Sequence, residues 1–207
     1  MGNRAASAET RAMRIVRGFP DERRDEVAAL FWQAFSGKLG RVMAPERRAL
    51  DFITHALRPA HAFSAETDDG RLLGVVGFKT QKGGLVAGGF SDLARSYGWF
   101  GALWRGPLLD LMERPLAEGE MLMDGIFVDA EARGEGVGSA LIRTVIAEAR
   151  ALGMKEVRLD VIDINLRARA LYERHGFRAA GRIESGLLSV LYGFHHATTM
   201  RLELSSR

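Results

Sequence analysis

The chain of 207 residues has no cysteine. That excludes disulfides, thiolate metal sites and a cysteine nucleophile, and it agrees with a reducing compartment, so the cytoplasm is the expected location. Long apolar runs are missing too. No stretch approaches the ~18 apolar residues of a membrane-spanning helix, and no membrane partner is expected. The opening MGNRAASAET lacks the apolar core of a secretory signal. Met1 and Gly2 would suit myristoylation, but Ala6 stands where that signal needs Ser or Thr. Charge of one sign is nowhere concentrated. The 29 basic and 26 acidic residues leave a net charge of +3 without a Lys/Arg stripe interleaved with aromatics, so nucleic acid is not expected as a partner.

Several catalytic strings are absent as well. No Gly-Lys-Ser/Thr sequence exists, which removes a nucleoside-triphosphate loop. The nearest approach to a serine-hydrolase elbow starts at Gly89 and has Leu93 where the second glycine belongs. His55, His61, His175, His195 and His196 form no helical ligand pair with a carboxylate between them, so no metal is expected.

What is present is a single domain's worth of patterned sequence. The 47% hydrophobic content at this length allows a sizeable core. Residues 1–11 read as a flexible tail and 12–207 as one domain. A short alternating strand at 12–18 precedes a helix from Pro20 to Gly37, with Val27, Leu30, Phe31, Ala34 and Phe35 on its apolar face. A second helix spans 45–57. Residues 61–67 and 71–80, joined by Asp68, Asp69 and Gly70, read as an antiparallel hairpin.

Residues 83–118 form an irregular, glycine-interrupted insertion in which Leu93, Tyr97, Phe100, Leu103 and Trp104 recur at helical spacing. These aromatics suit ordinary core, an apolar acceptor pocket led by Trp99 and Trp104, or a homodimer interface over 97–111.

The most informative stretch is 121–140, MLMDGIFVDAEARGEGVGSA. An apolar strand leads through a polar bend to Gly134, Gly136 and Gly138, and a helix follows. Glycines let a ligand approach the backbone, and the helix start offers N–H groups that no carbonyl of the helix satisfies, so the turn should hold phosphates. It is not a dinucleotide turn: counted from Gly134, the position needing the last glycine is Ser139, and the turn lies two-thirds of the way along the chain.

Leu141, Ile142, Val145, Ile146 and Ala149 then share one helix face, Gly153 stops the helix, and 155–162 alternates as a strand. Strand, helix, strand with this connection length makes a right-handed crossover between parallel strands. Asp163 or Asn165 caps a helix with Ala168, Leu171, Tyr172 and His175 on one face, ended by Gly176, after which Phe177 opens a strand. A last strand covers 196–204. The fold class is α/β: a central, mixed, mostly antiparallel sheet with one parallel step, flanked by helices.

Arg133, Gly136 and Gly138 fit the pattern R/Q-x-x-G-x-G/A, and Asn165, Ala168, Leu171, Tyr172, Gly176 and Phe177 fit N-x-x-A-x-x-L-Y followed by G-F. Across roughly 120–180 the sequence therefore resembles the GNAT superfamily of N-acetyltransferases, and the insertion at 83–118 departs from that family's minimal pattern. The resemblance implies acetyl-CoA as co-substrate, without a metal. Its pyrophosphate would meet the N–H groups of Arg133, Gly134, Glu135, Gly136, Val137, Gly138 and Ser139. Its pantetheine arm would pair with Ile126, Phe127 and Val128, where an N–H near Phe127 or Val128 would polarise the thioester carbonyl. Ala168 belongs to the same binding set. Asn165 would hydrogen-bond the arm, cap its helix, or do both, and Tyr172 would be the acid that protonates the departing thiolate.

For the base, Glu120 and Asp124 share a strand face if no bulge intervenes, and His195 and His196 are further candidates. Arg167, Arg169 and Arg174 either meet the ribose phosphate or form a solvated face. The implied reaction is transfer of acetyl from acetyl-CoA to a primary amine of a small molecule or peptide, by direct attack through a tetrahedral intermediate. The alternatives are a non-catalytic acyl-CoA-binding module and an acetyltransferase for protein N-termini or lysines.

Overall fold

A computed structural model describes residues 13–110, 115–184 and 196–204. The expected tail at 1–11 lies outside the described residues, as does His195. The strands are β1 (Met13–Arg17), β2 (Ala62–Thr67), β3 (Leu72–Lys79), β4 (Glu120–Val128), β5 (Glu156–Ile162), β6 (Arg178–Glu184) and β7 (His196–Glu203). The helices are α1 (Arg24–Met43), α2 (Glu46–Ala56), α3 (Phe90–Asp110), α4 (Val137–Ala151) and α5 (Leu166–Arg174).

The strands make one seven-stranded sheet in the order β1-β2-β3-β4-β5-β7-β6. Every pairing is antiparallel except β4 with β5, the step spanned by α4. The mixed, mostly antiparallel sheet with one parallel step is thus as the sequence pattern implies. β7 returns between β5 and β6, an order no local signal encodes.

Apolar residues on both sheet faces are covered. On one face Leu141, Ile142 and Val145 of α4 pack with Val76, Met121, Val157 and Leu159. On the other, α1, α2 and α3 bring Val27, Phe52 and Leu93 together with Leu72, Val75 and Phe127.

Two features of β4 shape the cleft beside it. Its parallel pairing with β5 has only three rungs, Glu120 with Glu156, Met121 with Val157 and Leu122 with Arg158; past them the strands no longer pair. β4 is also bulged, since Gly77 of β3 faces Gly125 while Phe78 faces Met123, leaving Asp124 as the extra residue. The bulge reverses side-chain parity: Met121 and Met123 belong to the α4-side core, then Ile126 and Val128 do, and Phe127 joins the opposite one. The condition under which Glu120 and Asp124 would share a face therefore fails.

Two helix expectations are corrected. α1 does not end at Gly37 but runs through Gly37 and Gly40 to Met43. Burial of Val42 and Met43 outweighs about 1 kcal/mol of unfavourable propensity per glycine, and the helix stops where Ala44 precedes Pro45. In α3, Gly98 breaks the helix at φ 72° and ψ 167°, which shifts the helical phase. Leu93, Tyr97 and Ala102 are core, whereas Trp99 (66% exposed), Phe100 (85%), Leu103 (59%) and Trp104 (46%) face outward. Arg105 fixes this segment to the end of α1, donating from Nε to the Val42 carbonyl (2.9 Å) and from Nη2 to that of Ala44 (2.9 Å).

Candidate active site

Where β4 and β5 stop pairing, a cleft of about 860 Å³ opens. Its sides are Leu122, Met123, Asp124, Gly125, Ile126, Phe127 and Val128 of β4 and Leu159, Asp160, Val161 and Ile162 of β5. The glycine turn closes one end, through Arg133, Gly134, Gly136, Val137, Gly138 and Ser139. α5 contributes Asn165, Arg167, Ala168, Leu171, Tyr172 and Arg174. Of the sequence-derived binding residues only Glu135 is not part of the lining.

The turn has the conformation its glycines suggested. Gly134 (φ 97°) and Gly136 (φ 86°) are left-handed, and Gly136 is the residue immediately before α4. An ideal Cβ at either would meet no protein atom within 4 Å, so both glycines face open space. Gly138 differs, because a Cβ there would lie 3.2 Å from Leu171 Cδ2 and 3.8 Å from Ile126 Cδ1, where α4 meets α5 and β4.

The N–H groups divide into two sets. Those of Arg133 and Glu135 turn inward to the carbonyls of Ala130 and Ala132 (both 3.4 Å). Those of Gly134, Gly136, Val137, Gly138 and Ser139 have no partner among the described residues. The expected cradle is narrower than the full run from 133 to 139 and is centred on the helix start. Arg71 steadies the approach to it, donating from Nη2 to Asp129 (2.7 Å) and Glu131 (2.7 Å). That guanidinium holds the Asp129 carboxyl below the usual range.

On α5, Asn165 Oδ1 accepts the Ala168 N–H (3.1 Å), so the capping role is present. Tyr172 is 7% exposed, its ring edge-on to Phe177 at a centroid distance of 6.0 Å. Burial pushes its phenol up to about 12. Asp124 is exposed at the cleft. Glu120 is not brought there: it is 2% exposed, 2.8 Å from Arg158 Nη1, and accepts the Ala117 N–H at 2.9 Å. Glu120 stands on the first of the three rungs and Arg158 on the last, and the two buried charges lean on each other across the pairing. His196 opens β7 and does not line the cleft.

Trp99 and Trp104, the residues expected to lead an acceptor pocket, do not line the cleft either; they lie on the outward face of α3. The aromatic wall comes from Phe31 and Phe35 of α1. On sequence alone these looked like core, since they continue the stripe of Val27. Gly125 was the usable clue, for a glycine inside a strand marks a close approach: a Cβ there would fall 2.6 Å from Phe35 Cζ. Among the described residues no group of three or more His, Asp or Glu is placed to hold a metal ion, and no helix is long and apolar enough to cross a membrane.

The family model of the acetyltransferase (GNAT) family matches residues 24–177, which takes in the cleft, the turn and α5. The chain belongs to this family. The GNAT assignment agrees with relatives of known name. Probable N-acetyltransferase family 8 member 5 of Mus musculus is 32% identical over 123 residues, 54% of this chain and 54% of that one. The chain spans about half the length, or less, of the curated relatives it matches. Among solved structures, an N-acetyltransferase from Staphylococcus aureus Mu50 superposes with a TM-score of 0.65 at 18% identity, covering 91% of this chain and 100% of that one. A Bacillus subtilis acetyltransferase in complex with CoA gives 0.59 at 17% identity, covering 94% and 100%. These structures share the GNAT fold with this chain.

Proposed function

We propose that this protein transfers an acetyl group from acetyl-CoA to an amine. The observation that carries the proposal is the parting of β4 from β5 beside a helix start where five N–H groups have no partner among the described residues. An extended, amide-bearing chain with a pyrophosphate at one end fits that pair of features. The edge of β4 facing β5 is unpaired beyond Leu122, so its backbone groups are available to the pantetheine amides, as a sheet edge accepts an added strand. The glycine turn and the α4 dipole would hold the pyrophosphate, the dipole contributing ~0.3–1 kcal/mol. Beyond it, Arg167 and Arg174 line the cleft with no acidic partner among the described residues, whereas Arg169 is occupied by Glu173 (3.0 Å). Burial, together with nearby Arg143 and Arg174, depresses the imidazolium of His175. This cationic end suits the ribose phosphate.

The substrate supplies an activated acetyl carbonyl and a thiolate leaving group. For their part, an N–H of β4 near Phe127 or Val128 would polarise that carbonyl, Asp124 would accept the ammonium proton directly or through water, and Tyr172 would donate to the sulfur. Glu120 has no part in this scheme, because its carboxylate is engaged by Arg158. The double variant Glu120→Leu/Arg158→Met is accordingly expected to fold with a stability change of about 1 kcal/mol or less, since a buried pair is often replaceable by apolar residues, and to keep thiol-release activity. Loss of activity in a folded double variant, read by acetyl-CoA-dependent thiol release, would return Glu120 to the mechanism.

The test of the proposal itself has two readings. Acetyl-CoA at about 100 times its dissociation constant should add ~2.7 kcal/mol of stability, visible as a thermal shift. Thiol release should then depend on an added amine. No shift with any acyl-CoA would overturn the reading, and a shift without amine-dependent thiol release would reduce it to acyl-CoA binding alone.

A further inference from the structure

The cleft has two unlike halves. The glycine-turn half is backbone N–H groups and arginines. The other half, between α1 and the bulge of β4, is mostly apolar, with Gln33, Lys79, Asp124 and Asp160 as its polar side chains. At its centre the Phe35 ring lies directly on β4, in space that any side chain at 125 would take. Phe31 packs against Phe35 with centroids 4.7 Å apart, and Phe127 meets the two edge-on at 5.7 and 6.3 Å. Leu39, Val86 and Leu109 continue the same lining. Charged groups here are few: Lys79, Asp124 and Asp160, the last of which accepts the Thr199 hydroxyl at 2.6 Å.

We infer that this half takes the acceptor, and that the acceptor is a primary amine carrying an aryl or extended alkyl group, rather than a polyamine or a hydroxylated amine. The inference rests on the acetyl-transfer reading above. A polycation or polyol entering this half would lose water against Phe31, Phe35 and Leu39 and find side-chain partners only in Gln33, Lys79, Asp124 and Asp160, whereas an apolar group would lose unfavourable hydration against the same rings. The apolar rings favour the neutral form of the amine that must attack, and Asp124 at the bulge is the carboxylate that would receive its proton.

The test compares kcat/KM of the full chain, by thiol release from acetyl-CoA, for 2-phenylethylamine, ethanolamine and spermidine. The expected result is a preference for 2-phenylethylamine of about 30-fold or more over ethanolamine, since single hydrophobic groups in a fitted pocket give selectivities of 10- to 200-fold. Phe35→Ala should shrink the ratio below about fivefold, and the milder Phe31→Leu should lower it partway. Acetyl-CoA thermal stabilisation of each variant shows that it is folded. Equal or better use of ethanolamine or spermidine by the wild type would overturn the inference, as would an unchanged ratio in folded Phe35→Ala. Acetyl-CoA binding with turnover of polar amines only would sink this inference and leave the acetyl-transfer reading standing; no acetyl-CoA binding at all would remove both.

Discussion

Tyr172→Phe is expected to lower kcat about 100-fold or more, the range for loss of a positioned acid, while acetyl-CoA still stabilises the protein. Phenylalanine keeps the ring against Phe177 and removes only the hydroxyl, so packing is conserved. The hydroxyl's environment sets how it acts. With its phenol pushed up to about 12 by burial, complete transfer of the proton to a thiolate whose acid has a pKa of ~8.5 would be uphill by roughly 5 kcal/mol. In the proposed reaction Tyr172 would therefore act as a hydrogen-bond donor that stabilises the sulfur as the C–S bond breaks, with solvent completing the protonation. Two consequences can be measured. A rate limb between about pH 6 and 9 belongs to another group and should persist in Tyr172→Phe. Because the folded pKa is raised above the unfolded value of ~10, the contribution to stability is whole below pH ~10 and is lost as pH rises through about 12; the variant should lack that alkaline decline. An unchanged kcat would return Tyr172 to the role of a core residue.

Gly136→Val is expected to weaken acetyl-CoA binding about 100-fold or more, equivalent to ~2.8 kcal/mol, read by isothermal titration or by loss of the thermal shift. Two effects combine. The residue sits at φ 86° immediately before α4, a conformation that costs a β-branched side chain about 1–3 kcal/mol. The new methyl groups would also fill the space in front of the N–H groups of Val137, Gly138 and Ser139, where no protein atom lies within 4 Å of an ideal Cβ. Gly136→Asn separates the two, because asparagine tolerates the left-handed conformation. It should keep more of the stability and still lose binding. Retained affinity in Gly136→Val would place the anion elsewhere.

What the sequence declared was local. The glycine turn, the Asn165 cap and the crossover helix each depend on residues within a few positions of one another, and each stands where the residue pattern puts it. What it concealed were contacts between distant segments. The bulge at Asp124 arises from register between β3 and β4, so even spacing of Glu120 and Asp124 misled. The burial of Glu120 depends on Arg158, 38 residues away by number (158 − 120). Phe31 and Phe35 carry the same helical periodicity as Val27, and only the packing of α1 over Gly125 separates a site wall from a core. In α3 the break at Gly98 turned an apparently continuous stripe into one buried face and one bare one.

That bare face gives the protein an unusual optical character. Of its three tryptophans, Trp99 and Trp104 stand in water, and Trp104 lies under the Arg105 guanidinium at 4.1 Å, while Trp32 is enclosed on α1 next in sequence to Phe31. Emission is therefore expected to have a red, iodide-quenchable part from α3 and a blue, protected part from α1. Trp32 is absent from the cleft lining and borders a separate hollow beside Glu46 and Leu50, so an amine in the cleft should leave both parts unchanged, whereas a red shift of the blue part would report loosening of α1 on the sheet.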